Sequence, residues 1–231
     1  MSKKIAALLQ NYTRPDSLGS RLRARRSKPL VEMIEDVYRR KGSCTIIDIG
    51  GTRPYWNILP SEFLLSRKVH VYLLNIESNN LVDQPENGGF TVIQGDACSE
   101  LAYADNHFDI CHSNSVIEHV GDWQRMVSFA QNVRRLAPRH FVQTPNYWFP
   151  VEPHAVAPFF QFLPFPIRVF LVQRFALGNW PKAKGTDEAV RLVQSARLLN
   201  RAMMKSLFPG SELEIERLLW LPKSLIAIRR E

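Results

Sequence analysis

The sequence predicts an α/β fold that is built on a mostly parallel β-sheet. Short apolar runs alternate with segments of helical periodicity along most of the 231 residues, which is typical of parallel strands joined by right-handed crossovers. The first run, residues 45–49, ends in Gly50 and Gly51, and a glycine turn after a buried strand is common at the ligand-binding edge of such sheets. Two apolar runs on either side of residues 221–223 close the chain, which indicates an antiparallel hairpin.

The predicted elements follow one another with short connections. Residues 29–40 form a helix with Pro29 in its first turn and Gly42 after its end, positions that suit these two residue types. We expect strands at 45–49, 69–74, 90–93, 108–112 and 140–143, a helical segment at 56–65, helices at 122–137 and 187–207, and hairpin strands at 213–219 and 224–228.

Residues 145–181 depart from this alternation because they are rich in Pro and Phe and contain no acidic residue after Glu152. We expect an insertion of short helices over residues 145–185 that covers the ligand cleft. The apolar face of residues 159–175, with Arg168 and Arg174 at its rim, suits an apolar acceptor or peripheral contact with a membrane surface.

The positive charge of the chain lies in an N-terminal arm. Of the net charge of +8, residues 1–41 contribute 11 Lys and Arg against 4 Asp and Glu, whereas residues 42–231 contribute 19 against 18. The basic run from Arg21 to Lys28 can meet nucleic acid or anionic lipid, but no aromatic residues interleave its arginines to stack on bases. We therefore expect an arm and helix (1–42) that packs over one domain (43–231), with no nucleic-acid partner.

The composition is that of an ordinary globular protein, with 45% hydrophobic and 23% charged residues. The three cysteines show no metal-ligand spacing and lie beside apolar runs, which predicts reduced thiols and no metal site. The first residues are too polar for a signal peptide, and no apolar run is long enough to span a bilayer. We expect a cytoplasmic protein of undetermined oligomeric state.

Three motifs occur in an informative order. They are IIDIGG (46–51), QGDA (94–97) and FDICHSNSVIEHV (108–120). Their order and spacing resemble the class I S-adenosylmethionine-dependent methyltransferases, and the last motif is similar to those of the ubiquinone-biosynthesis type. The resemblance covers residues 43–230. It implies a Rossmann-like methyltransferase fold with a mostly parallel seven-stranded sheet, a C-terminal antiparallel hairpin, a helical insertion after strand 5, and S-adenosylmethionine as cofactor.

The resemblance also implies roles for the residues at the carboxyl ends of the strands. Asp48 and the glycine turn would border the methionine part of the cofactor, and Asp96 with the backbone of Ala97 would contact the adenine. The family has an acid after strand 2 that holds the ribose hydroxyls. Asn75 stands there and Glu77 follows two residues on, so the choice between them stays open. The expected cofactor-binding residues are Asp48, Gly50, Gly51, Thr52, Asn75, Glu77, Asp96, Ala97, Ser113 and Asn114.

Two Glu-His pairs are candidate acid–base groups. Glu118 and His119 follow strand 4, and Glu152 and His154 lie in a proline-stiffened loop after strand 5. We expect His154 to be the general base for an acceptor hydroxyl, with His119 and Glu118 as the competing catalytic candidates.

The predicted function is methyl transfer from S-adenosylmethionine to a small-molecule, saccharide or lipid-linked acceptor. An RNA methyltransferase that uses the basic arm is the first alternative, and a non-catalytic binding protein on the same fold is another. A nicotinamide-dependent oxidoreductase is disfavoured because Thr52 and Pro54 stand where a pyrophosphate cradle needs glycine.

Overall fold

A computed structural model describes residues 26–77 and 89–231 of the chain. The expected packing of the basic arm therefore lies outside the described residues, apart from Arg26 and the helix that follows.

The described elements occur in the following order. They are α1 (Lys28–Lys41), β1 (Cys44–Ile49), α2 (Ser61–Ser66), β2 (Val69–Asn75), β3 (Phe90–Gln94), β4 (Ile110–Asn114), α3 (Trp123–Leu136), β5 (Arg139–Pro145), β6 (Val151–Glu152), β7 (Ala157–Pro158), α4 (Phe165–Arg174), α5 (Thr186–Gln194), α6 (Arg201–Leu207), β8 (Glu212–Leu218) and β9 (Leu221–Arg229). Short 3₁₀ turns occur at Arg53–Ile58, Ile117–His119 and Phe160–Phe162.

The main sheet has seven strands in the order β3-β2-β1-β4-β5-β9-β8. The first five of these are parallel to one another, and β9 pairs antiparallel with both β5 and β8. This arrangement confirms the predicted α/β fold with a mostly parallel sheet and a C-terminal antiparallel hairpin. In such a sheet the carboxyl ends of the parallel strands share one edge, which is the usual place for a ligand.

Helices cover both faces of the central strands. Ile47 and Ile49 belong to the apolar cluster that includes α3 and α6, and Ile46 belongs to the cluster that includes α1. A parallel strand buried on both faces has a continuous apolar sequence rather than an alternating one, which explains the run of isoleucines. Asp48 breaks that run and needs a polar partner inside the protein.

The prediction of a single helix at 187–207 is wrong, because the chain leaves the helical path between α5 and α6. The Arg197 amide donates to the Glu118 carbonyl (2.7 Å), and Leu199 forms a β-bridge with Asn146. The Asn200 side chain then accepts a hydrogen bond from the Met203 amide (3.0 Å) and caps α6. These tertiary hydrogen bonds outweigh a periodicity that is helical throughout.

Two other boundaries differ from the sequence-based expectation. Pro60 separates the predicted segment 56–65 into a 3₁₀ turn and α2. The fourth strand begins two residues later than predicted, because the Phe108 amide donates to the Leu136 carbonyl at the end of α3 instead of pairing in the sheet.

The segment after β5 forms its own small apolar cluster. It contains the β6–β7 hairpin and α4, and the cluster joins them to α5 through Phe160, Val172, Trp180 and Val193. The insertion predicted over residues 145–185 thus packs against α5, and the segment from the end of β5 to the end of α5 is called the inserted unit below. All three cysteines are free thiols, as expected. None of the helices in the two described ranges is long and apolar enough to cross a membrane.

Candidate functional site

A cavity of about 420 Å³ opens at the carboxyl ends of β1 and β2, where the loops after β3 and β4 meet the first turns of α3. This volume lies within the usual range for small-ligand sites. Five of the residues expected to bind a cofactor line it: Gly50, Asn75, Glu77, Asp96 and Ala97. Its remaining lining is mostly apolar, with His119 and Arg125 as further polar members.

The turn after β1 brings the backbone close to this cavity. Gly50 has φ +69°, and a Cβ at this position would lie 2.5 Å from a methyl carbon of Val116, which also lines the cavity. A side chain here would therefore strain the backbone and displace the cavity wall. The Asn75 side-chain amide donates to the Gly51 carbonyl (2.9 Å) and holds the turn in place.

Asp48 does not line the cavity, contrary to the expectation from the resemblance. Its carboxylate is only 1% exposed and accepts hydrogen bonds from Trp56 Nε1 (2.9 Å) and His112 Nδ1 (2.6 Å). A Cβ at Gly51 would lie 1.8 Å from this carboxylate. Asp48 thus anchors the 3₁₀ turn beneath β1, and neither Gly51 nor Thr52 reaches the cavity lining.

Ser113 and Asn114 also lie outside the cavity lining. The Ser113 hydroxyl donates to the Ile49 carbonyl (3.0 Å) and ties β4 to β1. Asn114 accepts a hydrogen bond from Arg26 (2.8 Å), and the same guanidinium pairs with Glu216 (3.2 Å). At these two positions the structure shows hydrogen bonds within the fold, and their contact with a cofactor stays a prediction.

Asp96 is held in its charged form at the cavity wall. Burial acts to raise its pKa, but the hydrogen bond from the Cys98 amide and the Arg125 guanidinium outweigh this effect and lower the pKa. Arg125 lies 2.9 Å from Asp96 Oδ2. Sequence reasoning missed Arg125, because nothing in a helical pattern separates it from the other arginines of α3.

A second cavity, of about 370 Å³, lies between the inserted unit and the segment that joins α5 to α6. Glu152, Arg168 and Arg197 are the charged residues that line it. Arg168 Nε and Gln161 Oε1 are buried there without a hydrogen-bond partner among the described residues, and burial lowers the pKa of Arg168. Arg168 was expected at the rim of an apolar face, but it contributes to this cavity instead.

Two histidines face each other between the cavities. His154 Nε2 lies 3.1 Å from His119 Nε2. On the other side of each ring, His154 Nδ1 lies 2.7 Å from Glu152 Oε1, and His119 Nδ1 lies 2.7 Å from the Ser195 carbonyl oxygen. Because both acceptors require a proton on Nδ1, each neutral ring presents a lone pair at Nε2.

The pKa values of these two rings shift in opposite directions. Burial acts to lower the pKa of His154, but its hydrogen bond to Glu152 outweighs burial and raises it. Burial lowers the pKa of His119, whose ring faces a backbone carbonyl instead of a carboxylate.

Glu118 completes this group. It is 1% exposed, and burial raises its pKa to about 7. Thr144 donates to Oε2 (2.9 Å), whereas Oε1 has no hydrogen-bond partner within the described part of the chain. A carboxylate oxygen of Glu118 and a ring nitrogen from each histidine all lie within 4.8 Å of one another. The structure thus brings together all three residues expected to be catalytic.

Two solved structures with TM-scores above 0.5 support the fold. LepI, solved in complex with SAM, aligns with a TM-score of 0.52 at 12% identity, over 86% of this chain and 46% of LepI. A protein from Rhodobacter sphaeroides, provisionally assigned to the Zn-dependent alcohol dehydrogenases, aligns with a TM-score of 0.51 at 13% identity, over 99% of this chain and 98% of that one. PigF, solved with SAH, aligns with a TM-score of 0.47 at 13% identity, over 89% of this chain.

The chain spans 62% of the length of PigF. At these identities the likeness extends to the fold alone. A search of curated proteins finds no significant match.

One family model matches part of the chain. The model described as "Methyltransferase domain" matches residues 59–138. This range contains most of the first cavity's lining, from Leu74 to Phe129. The part of the chain that forms most of the cavity wall is therefore similar to a methyltransferase domain, on a fold whose ligands bind at the same sheet edge.

Proposed function

We propose that the protein binds S-adenosylmethionine in the first cavity and transfers its methyl group to an acceptor in the second. The proposal depends on one observation: five of the residues expected to bind the cofactor line the first cavity. When bound, S-adenosylmethionine supplies a methyl group on a positively charged sulfur that an acceptor nucleophile can attack directly.

The described residues suit this cofactor. Gly50 permits close approach of the backbone, and Asp96 and Ala97 offer a carboxylate and a backbone amide at one wall. The Asn75 amide group is already engaged by the Gly51 carbonyl, whereas the Glu77 carboxylate is exposed at the cavity edge. We therefore assign the ribose hydroxyls to Glu77 and a role in holding the turn to Asn75.

The second cavity indicates an acceptor that carries a negative charge. Two arginines line it, and its Glu152 carboxylate is already engaged by His154 and by the amides of residues 154 and 155. A carboxylate or phosphate on the acceptor would satisfy the buried Arg168 Nε. This chemistry is compatible with the small-molecule, saccharide and lipid-linked acceptors that the sequence leaves open.

A lipid-linked acceptor has an additional argument in its favour. The inserted unit exposes several large apolar side chains: Trp148, Phe159, Phe162, Phe165, Ile167, Phe170 and Phe175. The Arg174 guanidinium lies over the Phe170 ring, 5.5 Å from its centroid. An apolar face with basic groups beside it suits the boundary between headgroups and acyl chains, so we propose peripheral membrane contact through residues 159–175.

Calorimetry with S-adenosylmethionine and with its demethylated product tests the proposal. We expect dissociation constants near micromolar, or about −8 kcal/mol, and no competition from a nicotinamide dinucleotide. If neither ligand gives a binding heat, the proposal is contradicted. Incubation of cell extract with isotope-labelled cofactor, followed by mass spectrometry, would then identify the acceptor. Labelled RNA would support the alternative instead.

A further inference from the structure

The two imidazole rings between the cavities require a proton or a cation between their Nε2 atoms. The 3.1 Å separation is shorter than two facing lone pairs tolerate without a proton or a cation. Since each Nδ1 faces an acceptor, neither neutral ring can supply that proton from Nε2 without breaking its other hydrogen bond.

The spacing matches two ligands of one metal ion. Zinc–nitrogen bonds are about 2.0–2.1 Å long, so two nitrogens 3.1 Å apart would subtend roughly 100° at the metal, between octahedral and tetrahedral angles. A carboxylate oxygen of Glu118 and one ring nitrogen of each histidine lie within 4.8 Å of one another. Two imidazoles and one carboxylate are a common ligand set for Zn²⁺ and Fe²⁺ sites that keep open positions.

The surrounding hydrogen bonds are also those of a metal site. A metal-bound histidine usually donates its second ring N–H to a carboxylate or a backbone carbonyl, which fixes the ring and its tautomer. His154 has Glu152 in this position, and His119 has the Ser195 carbonyl.

The buried Glu118 carboxylate provides an independent observation. Its Oε1 is buried and has no hydrogen-bond partner among the described residues, and a buried carboxylate without compensation is costly. A cation held by Oε1 and the two histidines would satisfy this oxygen.

We infer that Glu118, His119 and His154 form a binding site for a divalent transition-metal ion of the zinc type. The site lies between the two cavities, because His119 lines the first and Glu152, the partner of His154, lines the second. Its open coordination positions suit an acceptor hydroxyl, and the metal would lower the pKa of that hydroxyl. This last role rests on the proposed function, but metal binding does not.

The experiment uses the 231-residue chain after it has been stripped with a chelator and exchanged into chelator-free buffer. We expect Zn²⁺ to bind in calorimetry with a single equivalent, and Co²⁺ to give the visible absorption of a four- or five-coordinate site. Absence of both signals from the folded protein would overturn the inference and favour a proton shared by the two histidines.

Substitutions locate the site. His119→Gln and Glu118→Gln should remove the Co²⁺ spectrum, and Glu152→Gln should weaken metal binding by roughly 10–100-fold through the ring that it orients. His107→Ala is the matched control, because this exposed histidine contacts only neighbouring aromatic rings in the described chain. An unchanged Co²⁺ spectrum in both His119→Gln and Glu118→Gln would place the metal elsewhere and overturn the assignment.

Cofactor binding separates this inference from the proposed function. Metal-stripped protein should keep its affinity for the demethylated cofactor, because the other residues that line the first cavity are unchanged. Metal binding without cofactor binding would support the metal site and reject the methyltransferase proposal. Cofactor binding without metal binding would support the methyltransferase proposal and reject the metal site.

Discussion

The carboxylate of Asp48 fills the space in which a side chain at position 51 would lie. We expect Gly51→Ala to destabilise the protein by about 1–3 kcal/mol through overpacking, since its Cβ would meet Asp48 Oδ2 at 1.8 Å. Urea denaturation gives the free energy of unfolding. Gly185→Ala is a suitable control, because a Cβ there meets nothing within 4 Å.

The same contact predicts that the two positions are energetically coupled. Asp48→Ala alone leaves Trp56 Nε1 and His112 without their acceptor, which should cost about 1–3 kcal/mol. In the double variant the alanine at 51 no longer meets a carboxylate, so the combined loss should be smaller than the sum of the single losses. Strict additivity would contradict this interpretation of Asp48 as the reason for Gly51.

Asp96 should contribute to cofactor binding more than to folding. Asp96→Ala removes the carboxylate that faces the cavity and frees Arg125, and we expect cofactor affinity to fall by about 1–3 kcal/mol. Asp122→Ala is the matched control, because Asp122 accepts from the Arg125 amide as the cap of α3. It should lower the stability by about 1 kcal/mol without changing affinity. If the two variants bind the cofactor with equal affinity, Asp96 is not part of the cofactor site.

At the scale of elements, the Asp109 carboxylate joins α1, β1 and the start of β4. It accepts hydrogen bonds from the Thr45 amide and hydroxyl (both 2.9 Å) and pairs with Lys41. Burial acts to raise the pKa of Asp109, but Lys41 and Thr45 outweigh it and lower the pKa. The charged form is therefore favoured in the folded protein.

This shift predicts how stability depends on pH. The side chain of Asp in an unfolded chain has a pKa of about 3.9. The pKa of Asp109 is lower in the folded protein. Its contribution to the free energy of unfolding is therefore complete above the unfolded pKa and disappears as the pH falls through the folded pKa. Asp109→Asn should be less stable than the original chain at neutral pH, with the difference shrinking in acid. Asp105→Asn is the control, since that side chain is 75% exposed. A difference that does not vary with pH would contradict the prediction.

For the molecule as a whole, the apolar face of the inserted unit predicts association with anionic membranes. We expect the protein to float with phosphatidylserine-containing vesicles at low salt, because apolar side chains and basic groups share this face. Phe170→Ser should reduce the floating fraction, since Phe170 is 53% exposed.

Leu65→Ser tests whether any exposed apolar residue would have the same effect. Leu65 is 64% exposed but lies on α2, outside the inserted unit. Protein that stays in solution at low salt, or equal losses in the two variants, would reject membrane contact through residues 159–175.

The sequence by itself determined the order and type of the central elements. Apolar runs such as residues 45–49, helical periodicity in α1 and α3, and glycine and proline at their ends are local signals. They placed each parallel strand within about two residues and located the cavity residues Gly50, Asp96 and Ala97, because in a parallel sheet the residues that follow each strand necessarily meet at one edge.

Only the tertiary structure decided which polar groups line the first cavity and which are engaged within the fold. Asp48 and Asn114 follow the same strand-end pattern as Asp96, but His112 and Arg26 engage them from segments that no local pattern connects. The break between α5 and α6 arises in the same way, because the Arg197 amide donates to the Glu118 carbonyl and the Leu199 carbonyl accepts from the Tyr147 amide. The close approach of His119 to His154 depends on the path of a loop 35 residues further along the chain. Contacts between segments distant in sequence are selected by packing, so they leave no periodic trace.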